Sequence, residues 1–79
     1  MKQGKLIFPN GNIYEGQLDE FQMNGKGKLT YRNGDHFDGE FENGQRKGYG
    51  VLILSDGSRY MGNWSSDRRE GYGKYWDNV

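Results

Sequence analysis

Three groups of residues in the sequence have the types and spacings that chemistry uses. Gly25-Lys26-Gly27-Lys28 has the glycine and lysine content of a phosphate-binding loop. Such a loop works by presenting backbone N–H groups at the start of a helix. Here Leu29-Thr30-Tyr31 follows and reads as a strand, so the glycines are read as structural. His36 is the only histidine, and the positions 23 residues to either side hold Ile13 and Arg59. With no second ligand and no Ser or Cys at matching positions, it reads as an ordinary strand side chain rather than a base or a metal ligand. Asp35, Asp38, Glu40 and Glu42 crowd one short segment. Paired carboxylates do acid–base work inside a cleft; on one strand of an open sheet they form a solvated face that discourages edge association. No catalytic residue, cofactor site or metal site is predicted.

The elements that carry these residues must fit into 79 residues, which is one domain at most. A chain this short needs a staple: disulfides, a metal, oligomerisation or a regular repeat. There is no Cys, which removes the first and fits a reducing compartment. Eleven Lys plus Arg balance eleven Asp plus Glu, so no long-range field draws in nucleic acid. A hydrophobic fraction of 32% alone would suit disorder, but aromatics at 15% and fourteen Gly suit twisted strands and tight turns instead. After Lys2 and Lys5 the apolar run is only Leu6-Ile7-Phe8, ended by Pro9. That is far short of a signal core or a transmembrane segment, and the chain reads as cytoplasmic.

With a metal disfavoured by the lone His36, repetition, association or both remain, and repetition is visible in the sequence. Tyr14, Phe37 and Tyr60 stand 23 residues apart. Gly16, Gly39 and Gly62 follow two residues later, and Leu18, Phe41 and Trp64 two later again. Gly25, Gly48 and Gly71 form another column, as do Gly27, Gly50 and Gly73, and Leu6, Leu29 and Leu52. Asn10-Gly11, Asn33-Gly34 and Asp56-Gly57 align as well. A period of this length marks a stacked array. Asn-Gly and Asp-Gly between apolar runs signal hairpins, and no segment has a sustained helical period.

Parity selects the turn. Phe37, Gly39 and Phe41 share one face of a strand. A two-residue loop at Asn33-Gly34 would put Leu29 and Tyr31 on the other face. A three-residue loop, Arg32-Asn33-Gly34, pairs Leu29 with Phe37 and Gly27 with Gly39. The same loop pairs Leu6 with Tyr14, Leu52 with Tyr60, Gly4 with Gly16 and Gly50 with Gly62. It requires positive φ at its third residue only. The paired glycines have two readings: room for neighbouring aromatics such as Phe41 and Trp64 over bare backbone, or simple freedom to twist.

Tyr14-Glu15-Gly16-Gln17-Leu18, Phe37-Asp38-Gly39-Glu40-Phe41 and Tyr60-Met61-Gly62-Asn63-Trp64 resemble the Tyr-x-Gly-x-aromatic core of MORN (membrane occupation and recognition nexus) repeats. Gly48-Tyr49-Gly50 and Asp56-Gly57 match the rest of that pattern, and the resemblance covers nearly the whole chain. The family often has Gly in the loop after the aromatic. Gly44 matches, Phe21 and Asp67 do not, and Leu18 replaces an aromatic, so the first unit is expected to pack more loosely. The resemblance implies an all-β fold, a single-layer twisted antiparallel sheet of tandem β-hairpins, open-ended. One domain then spans residues 1–79, with a partial unit at 1–13, repeats at about 14–36 and 37–59, and a partial unit at 60–79. It also implies a non-enzymatic interaction scaffold of the kind found in cytoskeletal, ciliary and membrane-associated assemblies, some of them linked to phospholipid head groups.

Two functional surfaces are expected. An aromatic-lined sheet face of Tyr14, Leu18, Tyr31, Phe37, Phe41, Tyr60 and Trp64, with Tyr49 and Tyr72 as a second aromatic row, would take a protein partner such as a peptide or helix. Each such residue is equally readable as inter-repeat core. Alternatively, Arg46-Lys47 and Arg68-Arg69 in the between-hairpin loops would stack as a cationic rim, with Arg46 and Arg69 about 10 Å apart, for acidic phospholipid. Ile53, with Ile7 and Trp76, is expected to add apolar surface on the opposite face. The segment Gly73–Trp76 reads as half a hairpin with an open edge, which a partner strand, a second copy or further polypeptide would complete.

Overall fold

The computed structural model of the chain describes residues 2–77. Met1, Asn78 and Val79 lie outside the described residues, and with them the column in which a fourth turn is expected. Seven strands follow one another in chain order and pair antiparallel with their sequence neighbours: β1 (Lys2–Ile7), β2 (Ile13–Asp19), β3 (Gln22–Thr30), β4 (His36–Glu42), β5 (Gln45–Ile53), β6 (Arg59–Ser65) and β7 (Arg68–Trp76). Among the described residues there is no helix, and the sheet does not close on itself.

The turns after β1, β3 and β5 are the three-residue loops that parity requires. The Tyr31 N–H donates to Asp35 O at 2.8 Å and the Gly34 N–H donates to Tyr31 O at 3.0 Å. Gly34 takes φ +99° while Asn33 stays at negative φ, and Gly11 and Gly57 match it at +99° and +95°. The loop Asn or Asp has its own task. Asn10, Asn33 and Asp56 each accept the N–H two residues on, at 3.0, 3.0 and 2.8 Å. Successive loops are stitched together as well: Asn12 Oδ1 accepts the Arg32 N–H at 3.0 Å, and one repeat later Asp35 Oδ1 accepts the Ser55 N–H at 2.7 Å.

The resulting register puts one glycine from every strand in a single row across the sheet: Gly4, Gly16, Gly27, Gly39, Gly50, Gly62 and Gly73. Beside it runs a row in which Leu6, Leu29 and Leu52 alternate with Tyr14, Phe37 and Tyr60. These rows share one face, the packed face. A Cβ on Gly27 would run into the Tyr14 ring, on Gly50 into Phe37, and on Gly73 into Tyr60. The row therefore makes room for aromatic rings. The rings above it are Tyr14, Phe37 and Tyr60, not the Phe41 and Trp64 named from sequence.

Lying over bare backbone, each of these rings meets its neighbours edge to face. Tyr14 contacts Phe41 at 5.1 Å, Phe41 contacts Phe37 at 5.3 Å, Phe37 contacts Trp64 at 5.3 Å, and Trp64 contacts Tyr60 at 5.6 Å, all within 10° of perpendicular. Tyr14 and Phe41 sit two strands apart, as do Phe37 and Trp64, so the chain of rings runs through three successive repeats. Each such pair contributes about 0.5–1.5 kcal/mol beyond its buried area. Tyr14 and Phe37 are fully buried, and Met23, Leu29, Phe41, Tyr60 and Trp64 complete the core. In the first unit Leu18 is half-buried and Phe21 stands 87% exposed on its turn, in line with the looser packing expected there.

The other face, the open face, carries charge in register. Lys5, Glu15, Lys28 and Asp38 are successive cross-strand neighbours, and Glu40 stands between Lys26 and Lys47. The acidic strand β4 is thus flanked by lysines on both sides. Opposite charges across a strand boundary favour the pairing of β4 with its neighbours, while the register itself is set by the packed face. Ile7, Ile13, Thr30, His36, Ile53, Arg59 and Trp76 form a further row, which places Ile53, Ile7 and Trp76 together as expected and makes His36 one member of it.

Gly50→Ala, whose Cβ would strike the Phe37 ring, is expected to destabilise by about 1–3 kcal/mol. Urea unfolding measures the loss, and a midpoint unchanged from wild type would contradict the packing role. Burial also raises the Tyr14 phenol above its ordinary value of 10.0, and its hydroxyl donates to Gln17 O at 2.6 Å. Because the folded-state pKa exceeds the unfolded one, this stability is intact below about pH 10 and is lost as pH rises through the folded value. Alkaline unfolding should move to higher pH in Tyr14→Phe; an unchanged midpoint would contradict the assignment.

Candidate interaction surface

The turns after β2, β4 and β6 hold two residues each. Asn43 and Gly44 both take positive φ, as do Ser66 and Asp67, while in the first turn only Glu20 does. A two-residue turn and glycine pairing in one hairpin do not count out evenly. From Gly39 to Glu42 there are fewer residues than from Gln45 to Gly50, so β5 must carry two extra residues, Gly48 and Tyr49, opposite β4. Gly71 and Tyr72 are the extra residues of β7 opposite β6, and a similar shift occurs between β2 and β3. Gly25, Gly48 and Gly71 absorb these bulges at φ +87°, +65° and +68°, backbone that Gly adopts at least cost. A bulge re-aims the side chain beside it. Tyr49 emerges 54% exposed and Tyr72 95% exposed.

Nine residues are the sequence's candidates for partner contact. Tyr14, Phe37, Phe41, Tyr60 and Trp64 are core. A ring at zero to a few per cent exposure offers no surface, so these five serve the fold, and the open aromatic face expected from sequence does not exist as such. Leu18 and Tyr31 are half-buried against that core. Burial raises the Tyr31 phenol, Arg46 lowers it, and Asp67 and Asp35 raise it again. Of the nine, only Tyr49 and Tyr72 are accessible on the open face. With Met61, Asn63, Lys74 and Trp76 they border a shallow groove of about 500 Å³.

The four cations expected on loops are strand residues, and they do not form one rim. Arg46 lies on β5 and faces the packed side. Its guanidinium sits 4.5 Å from the Trp64 ring and 5.8 Å from Phe37. Its Nε donates to Asp67 Oδ1 at 3.0 Å and its Nη2 to Asp67 O at 2.8 Å. Arg69 lies on β7, 4.6 Å from the Tyr60 ring. Lys47 points to the opposite face and pairs with Glu42 at 3.4 Å, and Arg68 on β7 shares its parity. The physical reason is alternation: adjacent residues of a strand point to opposite faces, and a planar guanidinium gains more from an aromatic face than from water. Met23, buried, fills the same column in the first unit. Among the described residues no three His, Asp or Glu side chains converge as a metal site, and no helix is long and apolar enough to cross a membrane.

An open, single-layer array of hairpins, with a consumed aromatic face and an accessible polar face, is the architecture of a repeat-type interaction module. The family model of the MORN repeat matches residues 3–13, 14–36, 37–59 and 60–78, so the chain belongs to the MORN-repeat family, whose repeats are non-catalytic protein- and membrane-interaction modules. A comparison with curated proteins finds no match.

Arg46 should therefore act as a structural residue. The Trp64 indole N–H is buried with no acceptor among the described residues, so the ring is held by packing: edge to face with Phe37 and Tyr60 and against the Arg46 guanidinium. Arg46→Ala is expected to cost about 1–2 kcal/mol, and Arg46→Lys, which keeps charge but loses the planar stack, about half as much. Urea unfolding followed by tryptophan fluorescence measures both; a Lys variant as stable as wild type would contradict the stacking role.

Proposed function

We propose that the chain is a non-enzymatic scaffold that binds an extended peptide of a protein partner on its open face, in the groove bordered by Tyr49 and Tyr72. The carrying observation is the pair of glycine bulges that turn these two rings outward from equivalent positions of successive repeats. Exposed aromatic pairs on a rigid sheet supply contact area at low entropic cost and are typical anchors of peptide binding. The half-buried Leu18 and Tyr31 stand outside this groove and pack against the core. A cytoplasmic, cytoskeletal or ciliary setting belongs to this reading through the family resemblance.

Binding of acidic phospholipid through Arg46, Lys47, Arg68 and Arg69 is the weaker reading. Two of these cations are held against aromatic rings and the other two face the opposite side, so no one membrane plane meets all four. Each cation that does reach an anionic surface adds about 1 kcal/mol.

Peptide display on the immobilised chain, followed by titration of the selected peptides, tests the proposal. Tyr49→Ser with Tyr72→Ser is expected to weaken binding at least tenfold while the melting curve moves little, because both rings are outside the core. Peptides that bind the double variant with wild-type affinity would overturn the groove. Sedimentation with phosphatidylcholine vesicles, with and without phosphatidylserine, is expected to give equal pelleting; selective pelleting with the anionic vesicles would favour lipid.

A further inference from the structure

The strand β7 is exposed at all nine positions, on both of its faces. Among the described residues its outward backbone edge meets no strand. Its sequence, Arg68-Arg69-Glu70-Gly71-Tyr72-Gly73-Lys74-Tyr75-Trp76, is chemically complementary to itself when reversed about its centre. Such a strand can pair antiparallel with another copy of itself.

We propose that two copies of this chain associate edge to edge, β7 against β7, about a two-fold axis through Tyr72. In that register Glu70 faces Lys74 of the other copy, and Lys74 faces Glu70, so two opposite-charge pairs form on the open face. Arg68 faces Trp76 and Arg69 faces Tyr75 of the other copy, each a cation opposite an aromatic ring. Gly71 faces Gly73, which lets the two backbones approach beside the central tyrosines. Other two-fold registers lose this match. Centring on Lys74 sets lysine against lysine, centring on Gly71 sets Arg68 against Lys74, and centring on Gly73 leaves Glu70 opposite Trp76. Strand β1, at the other edge, has two lysines and no carboxylate, so it has no self-complementary register.

The hydrogen-bond phase agrees. The Tyr31 N–H bond to Asp35 O, and its equivalent from Leu54 to Ser58, fix which residues of β3 and β5 bond to the following strand: Gly25, Gly27 and Leu29, and then Gly48, Gly50 and Leu52. Their counterparts in β7 are Gly71, Gly73 and Tyr75. Those residues have outward N–H and C=O groups, and so has Arg69, whose counterpart Arg46 donates its N–H outward to Asp67 Oδ1 and accepts the Asp67 N–H; centring on Tyr72 pairs Gly71 with Gly73 and Arg69 with Tyr75 as bonded pairs. Tyr72 then meets its copy at a non-bonded site, where Cα atoms of an antiparallel pair lie about 4.5 Å apart. A balanced formal charge, eleven of each sign, adds no net repulsion between copies. The inference does not rest on the peptide reading: Tyr72, Lys74 and Trp76 also border the groove, but the mass and the crosslink are read without any peptide.

Light scattering during size exclusion, across a concentration series of the 79-residue chain, reads the mass directly. The expected mass at high concentration is twice the 9.1 kDa of one chain. Glu70→Lys and Lys74→Glu, both at exposed positions, should each return the mass to that of one chain, because each sets like charges together. The double exchange Glu70→Lys with Lys74→Glu should restore the doubled mass. Register is read from single cysteines in a chain that has none: Tyr72→Cys should form an inter-chain disulfide on oxidation, since about 4.5 Å is within bridging range, and Tyr49→Cys, in an internal strand, should not. A mass of one chain at every concentration, a doubled mass that survives both single exchanges, or a double exchange that fails to restore it would overturn the proposal. A doubled mass with no inter-chain crosslink in the Tyr72→Cys variant would overturn the register.

Discussion

Strands two apart in a sheet are separated by about 10 Å, and side chains on them meet only if the strand between offers no side chain of its own. In this chain the intervening strand offers glycine. Tyr14 on β2 reaches across Gly27 on β3 to meet Phe41 on β4, and Phe37 on β4 reaches across Gly50 on β5 to meet Trp64 on β6. A single-layer sheet has no second layer to bury its face against, so it has to bury that face against itself. The glycine row is what allows this, and it couples one repeat to the next through rings rather than through the backbone alone.

Once the rings are committed to one another, the rest of the molecule divides cleanly. The packed face belongs to the fold, including the two arginines that cover its margin, Arg46 on Trp64 and Arg69 on Tyr60. The open face keeps the register charges of β4 and its neighbours, and the two tyrosines turned out by bulges. Function is sought there and along the outer edge of β7, which meets no other strand among the described residues. The two proposed sites are different in kind: a groove for an extended segment, and an edge for a strand.

Much of this was legible in the sequence because period and parity are arithmetic. The columns of Gly16, Gly39 and Gly62, together with the requirement that Leu29 and Phe37 share a face, were enough to select the three-residue loops, and Gly34 alone at positive φ agrees. The identity of the rings over the glycines was not legible: Tyr14 and Phe41 stand in the same strand face pattern, and only packing decides which of them lies over Gly27. The bulges were missed although the signal was present. Gly39 pairing with Gly50 across a two-residue turn leaves two residues over in β5, and that count, made along Gln45–Gly50, places Tyr49 outside the ladder with β4. The arginines were misplaced for a related reason. Arg46 and Lys47 look like loop residues beside Asn43-Gly44, but a turn that tight returns the chain to strand by Gln45.

Everything on the packed face follows from a glycine in the intervening strand admitting the ring from its neighbour. The most direct measurement is a double-mutant cycle on Gly50 and Phe37, with stability read from urea unfolding. If the glycine makes room for the ring, Gly50→Ala should destabilise the wild-type chain but add little to Phe37→Leu, giving a coupling of about 1 kcal/mol or more. If the two losses simply add, the glycine serves the backbone alone and the account of the packed face fails.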